Sequence, residues 1–263
     1  MEWSKKGHYK NMNKSLKGNN YEIIATKELN QKSNYWKELN FDTRNSYAIH
    51  IIYKKYAKIN QIKISPKADI FLAKGIVPFE YLIQKDYYLS EKDLIKFNLL
   101  PIKNSGISVK LPNSRYTITK ISPITFKKLF GENNLAAGAS IYCNKEKDFN
   151  KNTRVLEGWG VNELEFLNYF NKQITLLNLS SLSDKKSLET IKTFSNNKIA
   201  HIINNSQSLS DFVFKGIGNF EEPFTAKYLI ENSKMKKNYY IPYKITTGSG
   251  RSNGNFTIVL KPK

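Results

Sequence analysis

The sequence predicts an α/β chain organised around a mixed sheet, and three observations point to it. Short β-branched or apolar runs alternate with capped amphipathic helices along most of the 263 residues. Apolar residues make up 40% of the chain and aromatics 13%, enough to bury a sizeable core. No internal repeat and no long Pro-, Gly- or Ser-rich linker divides the chain, which reads as one domain with a C-terminal elaboration.

The first 20 residues form a polar, lysine-rich arm ending in KSLKGNN. A helix follows over YEIIATKEL, with Asn20 as its N-cap and Ile23, Ile24 and Leu29 as its apolar positions. From Tyr47 the β-branched stretch YAIHIIYKKYAKINQIKI reads as one or two strands, or a strand after a helix end. ADIFLA is then a short apolar strand. FEYLIQKDYYLSEKDLIKFNLLPI mixes a strand with a short helix capped by Ser90, where SEKD sets a carboxylate in the first turn. GISVKL alternates Ile107, Val109 and Leu111 on one face with Ser108 and Lys110 on the other, the period of a strand. SPITFKKLFG is a helix with Ser122 as cap, Pro123 at its first position and Gly131 as its stop. VNELEFLNYFNKQI and SLSDKKSLETIKTFSNN are amphipathic helices. From about Lys198 onward the chain reads as strands and turns, ending in the strand NFTIVLK.

Charge narrows the range of functions. Forty-two Lys and Arg against 22 Asp and Glu give a net charge of +20, the balance of a protein that meets a polyanion. Only four of the basic residues are Arg (Arg44, Arg115, Arg154, Arg251), and codon bias alone raises Lys in an AT-rich genome; such bias does not lower the acidic count. No run reaches the ~20 apolar residues that span a bilayer, and no apolar segment follows the N-terminal charges as in a secretory leader. The expected location is the cytoplasm of a prokaryotic cell, with no membrane partner. One cysteine, Cys143, excludes an internal disulfide framework and a cysteine-built zinc cluster. Three scattered histidines, His8, His50 and His201, give little support to a His-built metal site or a Ser-His-Asp triad. An oxygen-ligated metal such as Mg²⁺ stays open.

The chemistry-bearing pattern is Asp69, heading the strand in SPKADIFLAKG, and Ser108-Val109-Lys110 on a strand about forty residues later. Pairing the two strands brings an acid and an amine to one sheet edge. A carboxylate there holds Mg²⁺ against a phosphodiester, and an ammonium group stabilises developing charge or positions the attacking water.

Asp69, with Lys110 inside GISVKLPNSRYTITKISPITF, resembles the type II restriction endonucleases built on the PD-(D/E)XK nuclease core. KGNNYE adds to the resemblance, because Glu22 falls on the first helix, where such nucleases often carry an acidic residue facing the active site. The resemblance covers about residues 15–135 as a catalytic core and leaves 136–263 as a recognition elaboration. It implies a Mg²⁺-dependent site-specific deoxyribonuclease of a restriction-modification system, cutting double-stranded DNA as a monomer or homodimer. Asp69, Lys110, Ser108 and Glu22 are its expected catalytic residues. Asp69, Ser108, the Val109 carbonyl and Glu22 are its expected metal ligands. Ser108 departs from the family's usual acidic residue, so Glu22, or after it Glu80, has to supply the missing charge.

DNA contacts are expected from Lys67, Asn113, Ser114, Arg115 and Lys120, with Lys127 and Lys128 as further phosphate contacts. The Gly-spaced loop KGIGNFEEP contributes Lys215 and Asn219. In TTGSGRSNGN the glycines permit close backbone approach, Ser249, Asn253 and Asn255 offer polar contacts, and Arg251 presents a fork suited to guanine. The same Asn-Gly also reads as a plain hairpin turn. The competing functional reading is a non-catalytic basic DNA-binding protein. A cationic membrane-active protein fits less well, since no basic helix has an unbroken apolar face.

Overall fold

The computed structural model describes residues 14–42, 44–52, 66–145, 160–171, 185–247 and 257–263. The chain is a mixed α+β structure and separates into two compact units, Met1–Ser114 with Phe214–Tyr240, and Arg115–Val213 with Ile241–Lys263. The division does not follow the expected split near residue 135. The chain leaves the first unit at Ser114 and returns to it for Phe214–Tyr240.

The first unit begins with helices α1 (Lys14–Asn30) and α2 (Asn34–Leu39). Its sheet is mixed. Strands β1 (Ser46–His50), β2 (Ile70–Lys74), β4 (Ile107–Lys110), β6 (Tyr228–Glu231) and β7 (Lys234–Lys237) lie in that order, and the short β3 (Leu100–Pro101) also pairs with β2. β2 runs antiparallel to both β1 and β4, whereas β4 and β6 run parallel with Lys110 opposite Glu231. Between β2 and β4 come helices α3 (Phe79–Gln84) and α4 (Glu91–Lys96).

Period-two alternation sends the strand side chains into two cores. Ala48, Ile70, Leu72, Ile107, Val109, Tyr228 and Ile230 pack with Ala25 and Leu29 of α1 and with Trp36 and Leu39 of α2. Ile49, Phe71 and Ala73 pack on the other face with Val77, Leu82 and Leu89 around α3 and α4. Parallel β4 and β6 meet closely at Gly106, where a Cβ would stand 1.8 Å from the Thr225 carbonyl oxygen.

The second unit holds β5 (Thr119–Ile121), α5 (Pro123–Phe130), α6 (Asn134–Lys145), α7 (Glu163–Asn171), α8 (Lys185–Asn204), β8 (Tyr243–Thr247) and β9 (Ile258–Pro262). Helix α9 (Gln207–Lys215) straddles the boundary between the units. β5, β9 and β8 make an antiparallel three-stranded sheet, and α6 packs on α8 and β8.

The Ser90 and Ser122 caps form as the sequence predicts. Ser90 closes a reciprocal box with Asp93, and Ser122 accepts from the Thr125 N–H ahead of Gly131 at φ 58°. Three local expectations differ. α1 starts at Lys14, so Asn20 lies inside the helix rather than capping it. FEYLIQ is helical, and only an isolated bridge from Tyr88 to His50 remains of the expected strand. Residues beyond Lys198 continue as helix to Asn204, because Leu188, Ile191, Ser195, Ile199 and Ile203 extend one buried stripe at helical spacing. Among the described residues no helix is long and apolar enough to cross a membrane.

Candidate active site

The site begins where two core strands part. The Asp69 N–H donates to the Ile107 carbonyl at 2.8 Å, and the Asp69 carbonyl accepts from the Ile51 N–H at 2.9 Å. Immediately before it the chain turns away, with the Lys67 and Ala68 N–H groups both donating to the Phe224 carbonyl. A gap therefore opens along β4. The Gly106 carbonyl accepts from Tyr228 on the β6 side, and the Ile107 carbonyl accepts from Asp69 on the β2 side. Alternation then turns the N–H and C=O of Val109 toward the gap.

The Asp69 carboxylate fills that gap. Its Oδ2 accepts from the Val109 N–H at 2.7 Å and from the Ser108 hydroxyl at 3.1 Å, and it lies 3.6 Å from the Lys110 ammonium. Oδ1 makes no hydrogen bond or ion pair among the described residues. Only about a quarter of the Asp69 side chain and a fifth of that of Lys110 are exposed, so the pair is less screened than a surface salt bridge.

Glu22 enters from α1. Its Oε2 lies 3.2 Å from Nε2 of His50, whose side chain is fully buried at the end of β1. Burial is the largest influence on the Glu22 carboxyl and holds it above the usual carboxylate range. The Asp69 charge pushes the same way, while His50 and Lys110 oppose it. Glu22 thus senses both members of the Asp69–Lys110 pair.

Lys67 belongs to the same cluster, where sequence reasoning made it a DNA contact. It packs against Gly216, and burial, reinforced by the Lys110 charge and opposed by Asp69, pushes its pKa down from 10.5 to about 7. The folded state therefore disfavours the charged form. This destabilising effect is complete below about pH 7 and fades as pH rises toward 10.5, because the unfolded chain binds the extra proton over that window. Lys67→Met is expected to raise the thermal midpoint by a few degrees at pH 6, with the gap to wild type closing above pH 7. Melting curves from pH 6 to 10 check this, and a gap that does not change with pH refutes it.

The remaining expected residues are more dispersed. Asn113 is exposed at φ 56° in the turn leaving β4, and Ser114 closes that turn by donating from N–H and Oγ to the Leu111 carbonyl. Lys215 and Asn219 flank the Gly216 turn in the first unit. Arg115, Lys120 on β5, and Lys127 and Lys128 on α5 are exposed and belong to the second unit. Glu80 is exposed in the first turn of α3. Ser249, Arg251, Asn253 and Asn255 lie outside the described residues.

Among the described residues no group of three or more His, Cys, Asp or Glu side chains is placed to hold a metal ion. A cation here would rest on two carboxylates together with neutral oxygens. The second unit has an open cavity of about 560 Å³ lined by Lys127, Asn134, Glu165 and Tyr169, remote in kind from this acid–amine chemistry. Comparison with protein-family models, with curated proteins and with solved structures finds no match to the chain.

Proposed function

We propose that the chain is a Mg²⁺-dependent endonuclease of double-stranded DNA with a PD-(D/E)XK-like core, of the type II restriction kind, working within a restriction-modification system. The supporting observation is the meeting of Asp69, the Val109 main chain and Lys110 where β2 and β4 part. The donor set suits Mg²⁺, which binds oxygen, keeps several waters and takes one or two carboxylates together with substrate phosphates. Asp69 and Glu22 would hold it, with the Val109 carbonyl and Ser108 Oγ as neutral partners. When bound, the cation polarises the scissile phosphate and acidifies a water.

The chain's own residues divide the remaining work. Val109 and Ser108 fix the Asp69 carboxylate by Oδ2, which leaves Oδ1 for the cation. Lys110 orients the attacking water and offsets charge that develops on the phosphate. The +20 net charge supplies the sequence-independent grip on DNA, which weakens as salt rises.

Incubating the protein with supercoiled plasmid, Mg²⁺ and, in a parallel reaction, EDTA tests the reading. Discrete fragments that require the metal are expected. DNA that shifts in a gel but stays intact with Mg²⁺ would overturn it in favour of a non-catalytic basic DNA-binding protein.

A further inference from the structure

We infer that His50 is a positioning residue: it holds the Glu22 carboxylate by one oxygen and presents the other to a divalent cation shared with Asp69. The inference rests on the endonuclease reading above and concerns a residue that plays no part in it. Three observations carry it.

The first is the ring itself. The His50 side chain is completely buried, Nε2 faces Glu22 Oε2 at 3.2 Å, and Nδ1 is buried with no hydrogen-bond partner among the described residues. A buried polar atom left unsatisfied is destabilising, and an apolar side chain at this position would avoid that cost. Among the described residues, all the polar capacity that the ring uses is therefore spent on Glu22.

The second is how firmly the ring is mounted. His50 lies opposite Ile70 in the β1–β2 register, one residue from Asp69, and its N–H donates to the Tyr87 carbonyl at 2.9 Å. β1 and the start of the Asp69 strand thus form one frame.

The third is the mounting of Glu22. Two turns along α1, the Asn30 amide clamps the outer edge of β1, donating to the Ala48 carbonyl at 2.8 Å and accepting from the Ala48 N–H at 2.9 Å. Between them Thr26 donates to the Glu22 carbonyl at 2.7 Å. Residues 22, 26 and 30 share one helix face, so α1 is pinned to β1 at Ala48 and again at His50. Glu22 Oε1 has no partner among the described residues, and the carboxyl feels the charges of Asp69 and Lys110.

The test is Mn²⁺ affinity, measured by titration calorimetry on the intact chain without DNA. His50→Leu is expected to weaken Mn²⁺ binding by ~10–100-fold, the usual effect of removing the partner that orients a ligand. His50→Gln, whose amide nitrogen reaches where Nε2 lies, should restore most of it. Glu22→Gln should weaken binding on its own, and adding His50→Leu to it should change nothing further. Wild-type affinity in a folded His50→Leu chain overturns the inference, and so does an additive loss in the double variant. Should His50→Leu fail to fold, a His50→Gln chain that is folded yet binds Mn²⁺ as poorly as Glu22→Gln also overturns it. A wild-type chain that binds no Mn²⁺ overturns the endonuclease reading as well, so the two failures are distinguishable.

Discussion

Asp69→Asn is expected to lower Mg²⁺-dependent cleavage by ~10³-fold or more, equivalent to ~4 kcal/mol, while leaving the fold and DNA binding in place. The two roles of Asp69 separate because they fall on different atoms. Oδ2 is a structural acceptor for the Val109 N–H and the Ser108 hydroxyl, and Oδ1 is the oxygen left for the cation. An asparagine oxygen can still accept from Val109, but the amide brings no charge to a metal. Asp69→Ala removes both functions. It should be equally inactive, and it should also lose about 1–3 kcal/mol of stability, because the Val109 N–H then faces the gap without an acceptor. Single-turnover cleavage and urea unfolding, run on both variants, check the pair of outcomes. Wild-type cleavage by Asp69→Asn removes Asp69 from the reaction; equal destabilisation of the two variants shows that the oxygen–amide contact is not what holds β4 here.

The juxtaposition of Asp69 with Lys110 was legible because each half carries a local signal. A Pro-led turn ahead of an apolar run starts a strand at Ile70, and the alternation of ISVK sets Ser108 and Lys110 on one face. The caps at Ser90 and Ser122 were legible for the same reason, since a cap is decided within four residues. What could not be read depends on distant partners. β6 pairs parallel with β4 across more than a hundred intervening residues, and a parallel neighbour leaves no mark on YLIE itself. His50 in SYAIHII looks like one more strand residue, and only the clamp of α1 on β1 reveals its carboxylate partner. Lys67 reads as a DNA phosphate contact until Gly216 and the Asp69–Lys110 pair close around it. The helix past Lys198 was readable in principle, because Ile199 and Ile203 continue the spacing of Ile191. The glycine-punctuated segments beyond it drew the strand assignment too far forward.

Lys110→Met should separate chemistry from metal binding, which Asp69→Asn does not. Methionine keeps much of the length and apolar volume of the lysine stem while removing the ammonium 3.6 Å from Asp69 Oδ2. If that ammonium orients the water and offsets charge on the phosphate, cleavage falls by ~10²–10³-fold, the scale of losing one well-placed donor. The cation itself responds differently. A fixed positive charge beside the Asp69 carboxylate repels a divalent ion, so removing it should leave Mn²⁺ affinity equal to wild type or tighter. The same ammonium holds the Glu22 carboxyl down and pushes the Lys67 ammonium toward its neutral form. Without it both groups keep their protons to higher pH. The Mn²⁺ gain should therefore be largest at alkaline pH, where Glu22 is ionised in either chain, and should shrink as the pH falls into the raised range of Glu22. Calorimetry from pH 6 to 9, beside single-turnover cleavage, measures both effects. Slow cleavage with undiminished metal binding assigns Lys110 to the chemical step, whereas equal cleavage rates for Lys110→Met and wild type reduce it to the ion-pair partner of Asp69.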